Sequence, residues 1–579
     1  LRAMLDWSWE LLTAPEQAVL RRLSLHADGC TLSAAEAVCA GGGIAEDEVL
    51  DLLARLVDRS LVMAAPGDGV APARYHLLES VAAYGHEQLC DAGEFASVRR
   101  RHTAYYATLA AEAEPQLRGP AQRQWLLRLD AESANMRAAL EDAVRTGAAA
   151  TALGLACDLA WYWVLRGRLG EGRRFLTTAL TAPQAPHTAA GTDAAADADA
   201  DKTAAATGAA REAPAPARDV TAARAAALTW RAAMTLRLGE TLTPDALPAV
   251  RPPQPTALPE LAAGARADAF LGLARLGLGP LPGGDDPLTR AEEVFRALGD
   301  QWGTAAVSST LAREAVLRGD LPALAEYGER SMALFAGLGD RWGQLHATYA
   351  LGTYAEITGD YGQAARLHRE GLRMAEDLGL WSEVSDKLSM LGRVALLTGD
   401  TAQADELHGR AARLAAEQGY VVGEEFAGIG LAMGARRQGR LAEAEAHLRR
   451  WLDWDRKIES DVGTALILAE LGFVAELAGD PEQARAHHRE GLAYARPTGD
   501  PRAVALALEG LAGAESLAGD AGEAARLLGR AEALRAAAGA PLPAAERTDT
   551  DRIMGRLRTA LPPDVLAAEI GAGRAAEEP

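Results

Sequence analysis

Lysine is nearly absent from this chain of 579 residues: Lys202, Lys387 and Lys457 are the only three, and arginine supplies the rest of the positive charge. That charge is outnumbered, 59 Lys and Arg against 80 Asp and Glu, for a formal net of −21. A protein this acidic is not built to coat nucleic acid or an anionic membrane. Cysteine is scarce as well. Cys30, Cys39, Cys90 and Cys157 share no metal-ligand spacing and read as reduced thiols of a cytoplasmic protein. No apolar run reaches the ~18–20 residues that span a bilayer, and no signal peptide is present. A phosphate-cradling P-loop, an H-E-x-x-H pair and a G-x-S-x-G motif are all missing. No enzyme activity, metal or cofactor is therefore expected of this chain. It begins at Leu1, within a helical pattern and without an initiator Met, and reads as a fragment lacking an N-terminal part.

What the chain has in abundance is period. Leu311, Leu351, Leu391, Leu431, Leu471 and Leu511 stand forty residues apart. Gly319, Gly359, Gly399, Gly439, Gly479 and Gly519 follow eight positions behind them, and Gly299, Gly339, Gly379, Gly419, Gly499 and Gly539 fall midway. A glycine every twenty residues closes helices of about four turns, and two such helices make one unit of a solenoid. A small residue follows each leucine (Ala312, Gly352, Gly392, Ala432, Gly472, Ala512), and Ala364, Ala404, Ala444, Ala484 and Ala524 sit thirteen positions after a leucine. Small residues at these two points let paired helices approach closely. This is the tetratricopeptide pattern, stretched from 34 residues to forty; HEAT units share the length but lack the small-residue code. The register extends weakly back to Gly279 and Gly239, giving seven or eight units.

The expected fold is mainly α: a winged helix, then a tetratricopeptide-type right-handed superhelix. The territories are 1–100, a winged-helix domain; 101–181, a helical linker or degenerate repeats; 182–220, a disordered Ala/Pro/Asp-rich linker; 221–545, the repeat array; and 546–579, capping helices and a tail. Within the first, Ala14-Pro15-Glu16 opens a helix, Ser33 to Glu36 forms a capping box, and Glu46 to Arg59 makes a third helix. Ser60–Met63 and Arg74–Leu77 read as strands around a Pro66-Gly67-Asp68-Gly69 turn. DNA binding by this part is disfavoured by charge: 8 Arg face 15 Asp and Glu across 1–100, and the third helix opens with Glu46, Asp47, Glu48 and Asp51.

Two apparent clusters follow from the period. His368, His408 and His488 share one repeat position, and units stacked ~10 Å apart cannot bring imidazoles to one metal. Trp302 and Trp342, also forty apart, read as packing between units. If the leucine marks the middle of each first helix, the concave surface carries Arg313, His346, Tyr349, Thr353, Glu356, Asp386, Ser389, Arg393 and Arg436. Such a surface suits a protein or peptide partner, and self-association is compatible with it.

The segments Leu1-Arg2-Ala3-Met4-Leu5-Asp6-Trp7-Ser8-Trp9-Glu10-Leu11-Leu12, Leu23–Leu32, Leu53–Val62, Arg74–Gly85, Arg99–Tyr106, Asp130–Leu140 and the tail from Leu527 to Ala575 resemble a known family. They look like the part that follows the nucleotide-binding domain in actinobacterial STAND-class regulators of the SARP and LuxR-like types. The resemblance implies a regulatory segment. Its repeats would sense an effector, and its winged helix would hold an NB-ARC-like ATPase domain (ATP or ADP in the full-length protein) in its resting state. His76 falls where it resembles the histidine of the family's Met-His-Asp motif, although Tyr75 and Leu77 replace its neighbours. The alternatives are a free-standing tetratricopeptide scaffold and a DNA-binding winged-helix activator.

Overall fold

The computed structural model describes residues 2–67, 72–183, 219–243, 257–276 and 286–576. Most of the linker expected over 182–220, Gly279, and Asp68 and Gly69 of the expected turn lie outside the described residues.

The first hundred residues fold as a winged helix. It comprises α1 (Arg2–Glu10), α2 (Ala14–Leu23), β1 (Cys30–Thr31), α3 (Leu32–Cys39), α4 (Glu48–Asp58), β2 (Met63–Ala65), β3 (Arg74–His76) and α5 (Glu79–Asp91). The strands form one antiparallel sheet of order β1-β3-β2, with Met63 opposite His76 and Cys30 opposite Tyr75. Two local expectations are corrected. A third strand, Cys30–Thr31, joins the pair, because β3 offers its second edge to the chain leading into α3. The capping box belongs to α2 rather than α3: Glu16 accepts from the Thr13 N–H at 2.8 Å, while Thr31, extended at the end of its strand, caps α3.

Four long helices follow: α6 (Phe95–Gln116), α7 (Gln122–Arg145), α8 (Ala149–Leu165) and α9 (Leu169–Leu180). Then come α10 (Val220–Arg237), α11 (Leu258–Ala274) and α12 (Pro287–Leu298). The regular units have α13 (Gln301–Arg318), α15 (Arg341–Thr358), α17 (Trp381–Leu397), α19 (Val421–Arg437), α21 (Asp461–Ala478) and α23 (Pro501–Ala518) as first helices. Their second helices are α14 (Leu321–Leu338), α16 (Tyr361–Leu378), α18 (Thr401–Glu417), α20 (Leu441–Ile458), α22 (Pro481–Thr498) and α24 (Ala521–Ala537). The chain ends with α25 (Thr548–Ala560) and α26 (Pro563–Ala575).

The forty-residue code acts as the spacing implies. Ala364, Ala404, Ala444, Ala484 and Ala524 are fully buried where the two helices of a unit meet. The small residue after each leucine answers a residue sixteen positions on. Gly352, Gly392 and Gly472 lie against His368, His408 and His488, whose rings fill the space a Cβ would take. Where the partner position is Gly328, Leu448 or Leu528, the small residue is Ala312, Ala432 or Ala512.

The superhelix winds tightly enough for successive turns to touch. The Trp342 N–H donates to Gln122 Oε1 at 3.1 Å, Arg166 to the Leu378 carbonyl at 2.6 Å, and Arg502 to the Val316 carbonyl at 2.6 Å. Arg237 reaches the Tyr420 hydroxyl at 3.3 Å. First helices thus line an inner groove, or lumen, that other turns of the superhelix cover in part.

Candidate functional site

The first helices bring several of the expected residues together. Arg313 of α13 lies 4.3 Å over the Tyr349 ring, and His346, one turn earlier on α15, is 3.3 Å from Glu383 of α17. Asp386 accepts from the Tyr420 hydroxyl at 3.1 Å, and Lys387 donates to Thr348 Oγ1 at 2.9 Å. Asp386 is half-buried while Lys387 is 2% exposed; the groups face the lumen, enclosed by protein from several sides. Burial pulls the Lys387 ammonium down to about 7, against the opposing pull of Glu383 and Asp386. Burial and then Glu383 push the Asp386 carboxyl up to about 7. Burial also drives His346 below the ordinary histidine range.

Farther along, Glu356 is buried. It accepts from Arg393 at 2.9 Å and pairs with His368 at 3.0 Å, so it joins two units instead of presenting a free carboxylate. Arg436, 6% exposed, donates to Glu470 at 2.8 Å and to both carboxylate oxygens of Asp549 at 3.0 and 2.9 Å. Thr353 is half-buried. Ser389 is fully buried between helices and does not reach the lumen, because its register points into the unit core.

Glu383, Lys387, Arg237 and Tyr420 belong to the same cluster and were missed in the sequence. A signal existed. Lumen partners on adjacent first helices stand 34 to 37 residues apart (Glu356 and Arg393, His346 and Glu383, Arg436 and Glu470), one to two turns short of the repeat. Arg237 carried no such signal, since it arrives from the next superhelical turn.

Trp302 and Trp342 pack with Trp161, 5.5 and 4.7 Å between ring centroids, and with Trp230 and Phe270 around a cavity of about 30 Å³. They join superhelical turns as well as neighbouring units, and the space left is that of a water. His368, His408 and His488 are buried in separate units, and among the described residues no group of His, Cys, Asp and Glu could hold a metal ion. No helix among the described residues is long and apolar enough to cross a membrane.

On the winged helix, His76 is half-buried on β3, and its ring lies 2.5 Å from where a Cβ on Gly29 would stand. Gly29 takes φ +66 and leaves the ring its place. It shares no contact with the lumen cluster. Several arginines of this domain are already engaged with acids: Arg21 and Arg22 with its own Glu94, and Arg74 and Arg99 with Glu132 and Asp142 of α7. Glu46, Asp47, Glu48 and Asp51 stand exposed at the start of α4. Phosphates approaching this face would meet carboxylates.

Helix α7 touches both halves of the molecule. Its start meets the array, where Gln122 accepts from Trp342 and Arg123 donates to the Asp377 carbonyl at 3.1 Å. Its middle grips the wing: Asn135 accepts from the Ala27 N–H at 2.8 Å and donates to the Gly29 carbonyl at 2.9 Å.

The winged helix-turn-helix domain family matches residues 12–90, and the tetratricopeptide repeat family matches residues 426–496. Both are of non-catalytic kinds. A candidate HTH-type transcriptional regulator of Mycobacterium tuberculosis (strain H37Rv) is 40% identical over 192 residues, 33% of this chain and 21% of that protein. An uncharacterized protein of Mycobacterium bovis is 39% identical over 103 residues, 18% of this chain and 26% of that protein. The chain thus spans about a fifth of the regulator's length and about a quarter of the other's. Among solved structures, a Signal Transduction ATPase with Numerous Domains (STAND) protein with a tetratricopeptide repeat sensor, from Pyrococcus horikoshii, is 12% identical. That match covers 84% of this chain and 64% of the other at a TM-score of 0.36, too distant to bear on function.

Proposed function

We propose that this chain is the sensor and control segment of a cytoplasmic STAND-type regulator of transcription, and not itself an enzyme. In this reading the repeat array binds a protein or peptide effector. The winged helix rests on a nucleotide-binding domain, in the same polypeptide or a neighbouring one, and holds it in its ADP state. His76 would face the nucleotide, and ATP or ADP would be that domain's cofactor.

The observation that carries the reading is α7. One rigid helix bonded to the array at its start and to the wing's Gly29 loop at its middle moves both together, so an effector that prefers one arrangement of the array shifts the wing. Gly29 also sets the place of His76, so the lever ends beside the candidate nucleotide contact. The docking face would be formed by Met4 and Trp7 of α1 and Leu11 just after it, apolar residues 70, 65 and 52% exposed. The likeness to a candidate HTH-type regulator supports the same class.

The test joins this segment to the nucleotide-binding domain of its parent or a relative and measures release of a fluorescent ADP. Trp7→Glu with Met4→Glu is expected to speed release at least tenfold, and Asn135→Ala to do so less. Release unchanged by either would reject the reading.

A further inference from the structure

After α24 the chain does not simply stop. Residues 538–562 leave the end of α24, run along the inner side of the array and return as α26, which packs back on α24. The return is closely packed. Gly529 and Gly573 lie so close to the Ile570 and Arg526 carbonyls that neither could carry a side chain. Between these two anchors the segment is a strap. Ala540 is buried beside Ala312 and Leu324, Glu546 lies 4.0 Å from Arg393, and Asp549 holds Arg436.

The strap meets the groove mainly through charge. Arg552 and Arg556, one turn apart on α25, donate to Glu476 of α21 at 2.9 and 2.6 Å, and Arg556 also reaches Ser516 of α23 at 3.1 Å. On the adjoining side Ile553 and Leu557 are fully buried with Leu508 and Leu511. The groove also has pairs made within the array itself, Arg393 with Glu356 and Arg436 with Glu470. Glu476 is different: among the described residues its carboxylate takes its hydrogen bonds and ion pairs from Arg552 and Arg556 of α25, so with the strap away it is a carboxylate awaiting arginine.

We propose that the groove across α17, α19, α21 and α23 is the array's effector site and that residues 538–562 close it at rest. The effector is an amphipathic helix carrying two arginines one turn apart beside two aliphatic residues, the pattern by which α25 now fills the groove. The proposal rests on reading the array as an effector-binding surface and goes further by naming its occupant. Anchoring at both ends keeps the strap at high effective concentration and leaves it able to swing out without unfolding the last unit.

A fluorescein-labelled peptide of residues 546–561 is titrated into the full chain and into the full chain carrying Asp549→Lys and Ile553→Asp. The variant is expected to bind at least tenfold more tightly than the unaltered chain, and the peptide with Arg552→Glu and Arg556→Glu to lose binding to it. Equal binding to both chains, or none by a variant whose circular dichroism shows retained helix, overturns the proposal. Should the variant not fold, hydrogen exchange of the unaltered chain decides. Amides of α25 exchanging at least tenfold faster than those of α24 and α26 support a strap, and uniform protection rejects it. Failure here leaves ADP release free to support or reject the wider reading, since that test does not involve the groove.

Discussion

Gly472 and His488 show how single residues hold one unit against the next. The His488 ring sits between Gly472 of its own unit and Gly510 of the following one, in space that either Cβ would occupy. Alanine normally favours a helix interior over glycine by about 1 kcal/mol. Here the overlap reverses the sign, and Gly472→Ala should destabilise the chain by about 1–3 kcal/mol, as overpacking does. Adding His488→Leu recreates the Ala432–Leu448 combination of another unit and should recover most of that loss. Urea melts of both variants measure it, and a double variant no better than Gly472→Ala would refute the pairing. The pairing was in the sequence throughout: every first-helix glycine of this series is followed sixteen residues later by histidine. That the two share one space was not readable there, because helix crossing, and not spacing alone, brings them together.

At the scale of the element, the ends of the helices divide the work between two residues. The glycine takes the left-handed C-cap, as Gly339 does at φ 69, and the next residue opens the following helix. Asp300, Asp320, Asp340, Asp360, Asp400, Asp480, Asp500 and Asp520 each accept a backbone N–H of the helix they begin. The Gly-Asp doublet was visible in the sequence, but the glycine alone was read as the signal. The glycine series skips one place, where Glu459 closes α20 at φ 58. A side chain there costs about 1–2 kcal/mol relative to glycine. Glu459→Gly is therefore expected to stabilise the chain by about 1 kcal/mol, read as a higher midpoint in chemical denaturation. An unchanged or lower midpoint would mean that Glu459 makes a compensating contact. The third strand of the wing was harder to foresee, because two residues carry no periodicity of their own and pair only once β3 is placed.

At the scale of the whole molecule, buried histidines tie stability to pH. Burial lowers His102 and His408 to about 4 and His488 to about 3. Unfolded histidine protonates near 6.5, so between that value and about 3–4 the unfolded chain binds more protons than the folded one. Stability from these residues is thus full above pH 6.5 and lost as the pH falls through the window. Each contributes a slope of about 1.4 kcal/mol per pH unit. Thermal melts from pH 7 to 4 should show a falling midpoint, and His408→Leu with His488→Leu should flatten the fall; an equally steep fall would assign it to carboxylates. The same scale explains why the lumen was only partly foreseen. Arg313, Tyr349 and Asp386 come from neighbouring units, whereas Arg237, Trp161 and the tail arrive from other turns of the superhelix.

By itself the sequence determined the period, the helix lengths, the small residues that let helices pair, and the acidic character of the winged helix. All of these are local or recur at one spacing, so one unit's chemistry predicts the next. Tertiary structure alone decided how tightly the superhelix winds, that α7 joins wing and array, and that the tail fills the groove. Those contacts join residues as many as 254 positions apart, and no repeat encodes them. They depend on the small rotation between successive units, which sums over the array into a geometry that no single unit carries.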